Sequence, residues 1–170
     1  PFLFHTTGDP NEGYSRPEMA FAVIEENPDL RFCLAHCICF DRVFLAKADA
    51  LANVWFDTAA MKIQVQMVGE DSPLVPPRAA RFEADYSDHR AVTLALAEAF
   101  PETIIWGTDA PAYTYICRRK QAEGSFAEFR LKATYEDERA ALDTLPEPLR
   151  TRACNGNTLD WLFGPARGEG

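Results

Sequence analysis

Residues 103–111 read TIIWGTDAP: an apolar run, then a glycine, a threonine and, at position 109, an aspartate before a proline. A buried strand that ends in a carboxylate is the pattern that decides the fold, because it recurs with other chemistry elsewhere in the chain. Residues 1–9, PFLFHTTGD, run from an apolar stretch into His5. Residues 31–40, RFCLAHCICF, run from a second stretch into His36, and residues 53–58, NVWFDT, place Asp57 at the end of a third. Nearly continuous apolar runs of this length predict strands covered on both faces.

Between these runs the hydrophobic period becomes helical. SRPEMAFAVIEENP (15–28) predicts a helix with Ser15 as N-cap, Glu18 completing a capping box and Pro17 in the first turn. Met19, Val23 and Ile24 are expected on its buried face, and Asn27 and Pro28 end it. DRVFLAKADAL (41–51) and HRAVTLALAEAF (89–100) predict two more helices, the second capped by Ser87 or Asp88. Residues 59–87 are too long for a strand-to-helix connection and read as an insertion. After the fourth strand come a loop, a helix capped by Thr134 (134–145) and a terminal pair, PEPLRTRAC and NTLDWLFG. Strand–helix alternation argues for an α/β protein with a parallel sheet, either half of a closed eight-stranded barrel or a small open sheet.

The composition narrows the function. Of 170 residues, 47% are hydrophobic, enough for a core. A formal charge of −9 argues against nucleic acid or an acidic membrane surface as partner. Five cysteines, an odd number without the spacing of a secreted framework, read as reduced thiols in a cytoplasmic protein. No Gly-x-Ser-x-Gly element is present to carry a nucleophilic serine.

In parallel α/β folds chemistry gathers at the carboxyl ends of strands, so His5, His36 and Asp109 are the candidate site. Imidazole nitrogens and a carboxylate suit Zn²⁺ or a similar divalent ion. The segments FLFHTTGD, FCLAHC, NVWFDTA, IIWGTDAP and the closing RACNGNTLDWLFG resemble the last four strands and terminal helix of the amidohydrolase-related superfamily. The resemblance is to its aminocarboxymuconate-semialdehyde decarboxylase-like branch and runs from about residue 1 to 164. It implies a (β/α)₈ TIM barrel with a mononuclear metal site, most simply Zn²⁺ with Mn²⁺ as the alternative. His5, His36 and Asp109 would be metal ligands, and Asp109 and His36 would be catalytic.

The family also places a His-x-His pair on its first strand. The three histidines here, His5, His36 and His89, contain no such pair. The expectation is therefore one domain over 1–170 that forms the carboxy-terminal half of a barrel, about four βα units, partnered by an amino-terminal half. A homo-oligomer is the further partner expectation. The implied reaction is metal-dependent hydrolysis of an ester, lactone or amide of a small, carboxylated substrate, with Asp109 as general base. A non-oxidative decarboxylase and a non-catalytic half-barrel scaffold are the alternatives.

Other residues carry weaker expectations. Arg118 and Arg119 could clamp a substrate carboxylate, with Tyr113 and Tyr115 walling the pocket. Cys33, Cys37 and Cys39, if the strand persists, alternate away from His36 and read as buried thiols. His89, at a helix start, reads as a surface residue, and Asp57 as a support for the site.

Overall fold

A computed structural model describes residues 1–9, 12–112, 116–120, 123–164 and 167, with the backbone alone for Cys117, Arg119, Lys120 and Ala127. Four short strands lie side by side in chain order, all parallel: β1 (Phe2–Phe4), β2 (Phe32–Leu34), β3 (Val54–Asp57) and β4 (Ile104–Ile105). Parallel neighbours need crossovers, and helices supply them: α1 (Pro17–Glu26), α2 (Arg42–Ala50), and α3 (Met61–Gly69) with α4 (His89–Ala99). The fold is α/β, and the order is that of part of a TIM-barrel-like arrangement.

Alternation along the strands divides the core. Phe32, Leu34, Val54, Phe56 and Ile104 turn to the helices and are shut from solvent there with Phe21, Ile24, Leu45 and Leu96. Cys33, Trp55 and Ile105 turn the other way, onto Trp161. Trp161 belongs to α7 (Asn157–Phe163), which follows α6 (Leu149–Thr151) through a π-helical turn at Arg152–Gly156. Asn157 ties α7 to the sheet by donating from Nδ2 to the carbonyls of Ile104 (2.7 Å) and Pro101 (2.8 Å). Arg167 closes the lower end of the sheet, donating to the carbonyls of Ala48 and Val54, both at 2.9 Å. Both faces of β2 to β4 are thus covered, as continuous apolar strands require. Among the described residues β1 and β4 are the edge strands, and β1 differs from the others in leaving Phe2 and Leu3 exposed.

Helix α1 does not begin as the sequence predicts. Arg16 stands at the N-cap without a side-chain cap bond. The Ser15 carbonyl accepts from the Thr7 N–H (2.9 Å), and Glu18 accepts from the Arg16 guanidinium (2.9 Å), so no capping box forms. The buried face of α1 is Pro17, Ala20, Phe21 and Ile24; Met19 and Val23 are exposed. The caps expected for the later helices form: Asp88 accepts from Arg90, and Thr134 and Asp137 form a reciprocal capping box on α5 (Tyr135–Asp143). Asp41 caps α2 as well, accepting from Val43 and Phe44.

Two stretches carry structure that the sequence conceals. The region expected as a loop after β4 contains an antiparallel hairpin, β5 (Ile116–Lys120) with β6 (Phe126–Arg130). Residues 59–87 contain helix α3 and a short 3₁₀ turn at Arg78–Ala80. α5 then packs back on α3: Glu138 accepts from the N–H groups of Met61 (3.0 Å) and Lys62 (3.1 Å), and Lys62 pairs with Asp137 (2.6 Å). No helix among the described residues is long and apolar enough to cross a membrane.

Candidate active site

The chain leaves β2 through an unusual turn. His36, Cys37, Ile38, Cys39 and Phe40 all have φ between 48° and 65°. That is the left-handed region, which costs a non-glycine residue roughly 1–2 kcal/mol. The turn persists because its side chains are held. His36 to Phe40 are buried, the Cys37 thiol donates to the Asp57 carbonyl (3.1 Å), and the Cys39 thiol faces the Thr6 carbonyl (3.6 Å). The strand therefore stops before His36, and the expected alternation of Cys37 and Cys39 away from it gives way to a coil that buries all of them. Burial pushes the thiols of Cys33 and Cys37 well up and that of Cys39 up to about 12. Such thiols are protonated core groups.

Asp57 holds the turn to the sheet. Its Oδ1 accepts from the His36 N–H (3.0 Å) and the Ala59 N–H (2.9 Å). The carboxyl is buried, and burial raises its pKa against the pull of those bonds and of His36. Thr58 performs the same service for β4: its hydroxyl donates to the Gly107 carbonyl (3.1 Å) and accepts from the Gly107 N–H (3.0 Å). The loop that carries Asp109 is thereby fixed beside the loop that orients His36.

The imidazole of His36 has one available tautomer. Nδ1 lies 3.0 Å from the Ala59 carbonyl, which only accepts, so Nδ1 carries the proton and Nε2 presents a lone pair. Nε2 faces Nδ1 of His5 at 3.0 Å. With that lone pair on Nε2, the contact is a hydrogen bond in which His5 Nδ1–H donates, and it joins the chain just beyond β1 to the chain just beyond β2. A carbonyl on the far nitrogen is the usual way a histidine ligand is oriented. Burial lowers the pKa of His5, and the charge of His36 lowers it further, while Asp109 and Glu12 raise it. Asp109 sits in the left-handed region (φ 58°), exposed at the mouth of the same cavity. Among the described residues no three His, Cys, Asp or Glu side chains cluster closely enough to hold an ion.

The cavity measures about 420 Å³. His5, His36 and Asp109 share it with apolar walls from α3 (Ile63, Met67) and the hairpin end (Phe129, Leu131). Gln64, on α3, is the group that sequence reasoning missed. It is 6% exposed, and its Oε1, closed to solvent, has no hydrogen-bond partner among the described residues. A glutamine in MKIQVQMVG carries no signal of its own in the sequence.

Arg118 is exposed on β5 and paired with Glu128 at 2.7 Å, outside the cavity lining. Arg119 has only its backbone described, and Tyr113 and Tyr115 lie outside the described residues. His89 is not a surface residue: its Nε2 meets the Asp137 carbonyl at 3.0 Å and links α4 to α5.

A parallel α/β sheet with two histidines and an aspartate beyond its carboxyl ends has the layout in which such folds gather their chemistry. The chain belongs to the amidohydrolase family, whose model matches residues 1–163. No curated protein and no solved structure gave a significant match.

Proposed function

We propose that the protein hydrolyses an ester, lactone or amide of a small compound at the cavity that His5, His36 and Asp109 share. The observation that carries the reading is the His36 imidazole, proton-locked by the Ala59 carbonyl and facing His5 at 3.0 Å. His5 and His36 would hold a divalent ion, Zn²⁺ by the nature of the donors. Such an ion, when bound, polarises a carbonyl and lowers the pKa of water toward about 7. Asp109 is the general base: it takes the proton of the attacking water and returns it to the leaving group. Asp57 and Ala59 act through His36 by fixing its backbone and tautomer. The remaining donors are assigned to further strands of the barrel, docked on the unpaired edge of β1 where Phe2, Leu3 and the α1 residues Met19 and Val23 are exposed.

The test is made on the full-length gene product. Asp109→Asn should lose at least about 100-fold in kcat with its metal content intact, while His36→Ala should lose metal. Elemental analysis beside initial rates on a lactone and ester panel reads both. A near-normal rate for Asp109→Asn at full metal occupancy removes the general base. Release of CO₂ from a carboxylate substrate without ester cleavage would move the assignment to decarboxylation.

A further inference from the structure

Helix α3 carries two glutamines that the fold uses differently. Gln66 is fully engaged: it accepts from the Lys132 N–H (3.0 Å) and donates to the Arg130 carbonyl (2.8 Å), which fastens the end of the hairpin to the helix. Gln64 lines the cavity and is 6% exposed, and neither end of its amide has a hydrogen-bond partner among the described residues. Oε1 is shut from solvent, so Nε2 is the end open to the cavity. Turning the amide over would shut in two N–H donors in place of one carbonyl, and an orphaned buried N–H is the rarer of the two. The helix holds the residue in place, with the Gln64 N–H bonded to the Ala60 carbonyl at 2.9 Å, next to the Ala59 carbonyl that fixes His36.

The surroundings of this donor are apolar and electrically balanced. Ile63 and Met67 line the cavity from α3, and Phe129 and Leu131 line it from the hairpin end. The two glutamates of that wall are compensated, Glu70 by Lys132 (3.7 Å) and Glu128 by Arg118 (2.7 Å). An uncharged carbonyl that enters gives up weak bonds to water and regains one from Nε2. A carboxylate gives up far more hydration for the same single neutral donor. We propose that Gln64 is a ligand-binding residue whose Nε2–H donates to an uncharged carbonyl oxygen of the molecule in the cavity, the rest of that molecule being apolar.

The proposal rests on the hydrolase reading only for what becomes of the bound molecule, and its test is made by binding on the full-length gene product. Acetophenone and α-methylstyrene share a shape and differ in C=O against C=CH₂. Comparing each in the parent and in Gln64→Leu cancels their unequal cost of leaving water. In titration calorimetry Gln64→Leu should weaken acetophenone about fivefold or more and leave α-methylstyrene as tight or tighter. Gln64→Met, which keeps the length of the side chain, should do the same, so a packing defect peculiar to leucine is separated from loss of the donor. Benzoate, of the same size and charged, should respond to Gln64→Leu less than acetophenone does. Equal changes for the ketone and the alkene, a larger loss for benzoate, or no binding of acetophenone at millimolar concentration overturns the proposal. Initial rates on the lactone and ester panel read hydrolysis separately. Ketone-selective loss without turnover of any ester defeats the hydrolase reading alone; turnover without that selectivity defeats the assignment of Gln64 alone.

Discussion

Replacing Glu138 with glutamine should change how stability depends on pH. Glu138 is 1% exposed and caps the start of α3, accepting from Met61 and Lys62. Burial pushes its carboxyl from 4.5 up to about 7; the two backbone bonds and Lys62 pull it down, and Asp137 pushes it up. Between those two values the folded chain keeps a proton that the unfolded chain has released, so rising pH favours unfolding. The stability that this group contributes is full below 4.5 and is lost as pH climbs through about 7. Linkage over that interval makes the loss about 2.5 kcal/mol between about pH 5 and about pH 8. Glutamine has the same shape and does not titrate, but its NH2 cannot accept, so one of the two N–H bonds is lost at a pH-independent cost of about 1–3 kcal/mol. The stability of Glu138→Gln relative to the parent should therefore rise by about 2.5 kcal/mol between about pH 5 and about pH 8. Urea unfolding followed by tryptophan fluorescence, with an unchanged m-value at each pH, measures this. Curves that run parallel across the range would refute the reasoning, since Glu138 would then titrate alike in the folded and unfolded chains.

Two further substitutions probe the supports of the site. Gly8→Ala places a Cβ 2.4 Å from the Leu74 carbonyl oxygen, which also accepts the Gly8 N–H at 3.0 Å; the expected cost is about 1–3 kcal/mol, read by thermal unfolding, and a parental Tm would contradict it. Asp57→Ala strands the buried N–H groups of His36 and Ala59, with an expected loss of about 2–4 kcal/mol and of metal affinity, although Asp57 holds no metal itself; urea unfolding and elemental analysis check both, and unaltered stability would count against its supporting role.

The strands were legible because each is a short apolar run ending in a polar group, and β1 to β4 lie where PFLFH, RFCLAH, NVWFDT and TIIWGT predicted them. Caps with a local mechanism, Asp88 and Thr134, were legible because the bond is made within a few residues. The α1 cap was not, because Ser15 is engaged by Thr7, a partner outside its own helix. The exposed face of α1 misled for a related reason: Met19 and Val23 have helical spacing but no neighbour packed against them. The hairpin escaped because ICRRK and FAEFR interrupt their apolar residues with charged ones, so neither shows an apolar run. Within the site, His5, His36 and Asp109 could be read from strand ends, and the structure brings them to one cavity. Glu138 could not, since it acts across a helix–helix contact that no local spacing records.

The left-handed turn from His36 to Phe40 limits how this sequence can vary. Glycine would relieve the backbone at any of the five positions by roughly 1–2 kcal/mol. Yet Ile38 and Phe40 are wholly enclosed, and truncating such side chains costs about 2–5 kcal/mol. The residue that suits the backbone is thus the wrong one for the core, and the residues that suit the core strain the backbone. Single substitutions in either direction lose stability, so change here requires a compensating change in the packing around Phe40, where Tyr86 meets its ring edge-on at 5.1 Å. His36 opens this stretch, so its position is held by a segment that drift cannot easily rewrite.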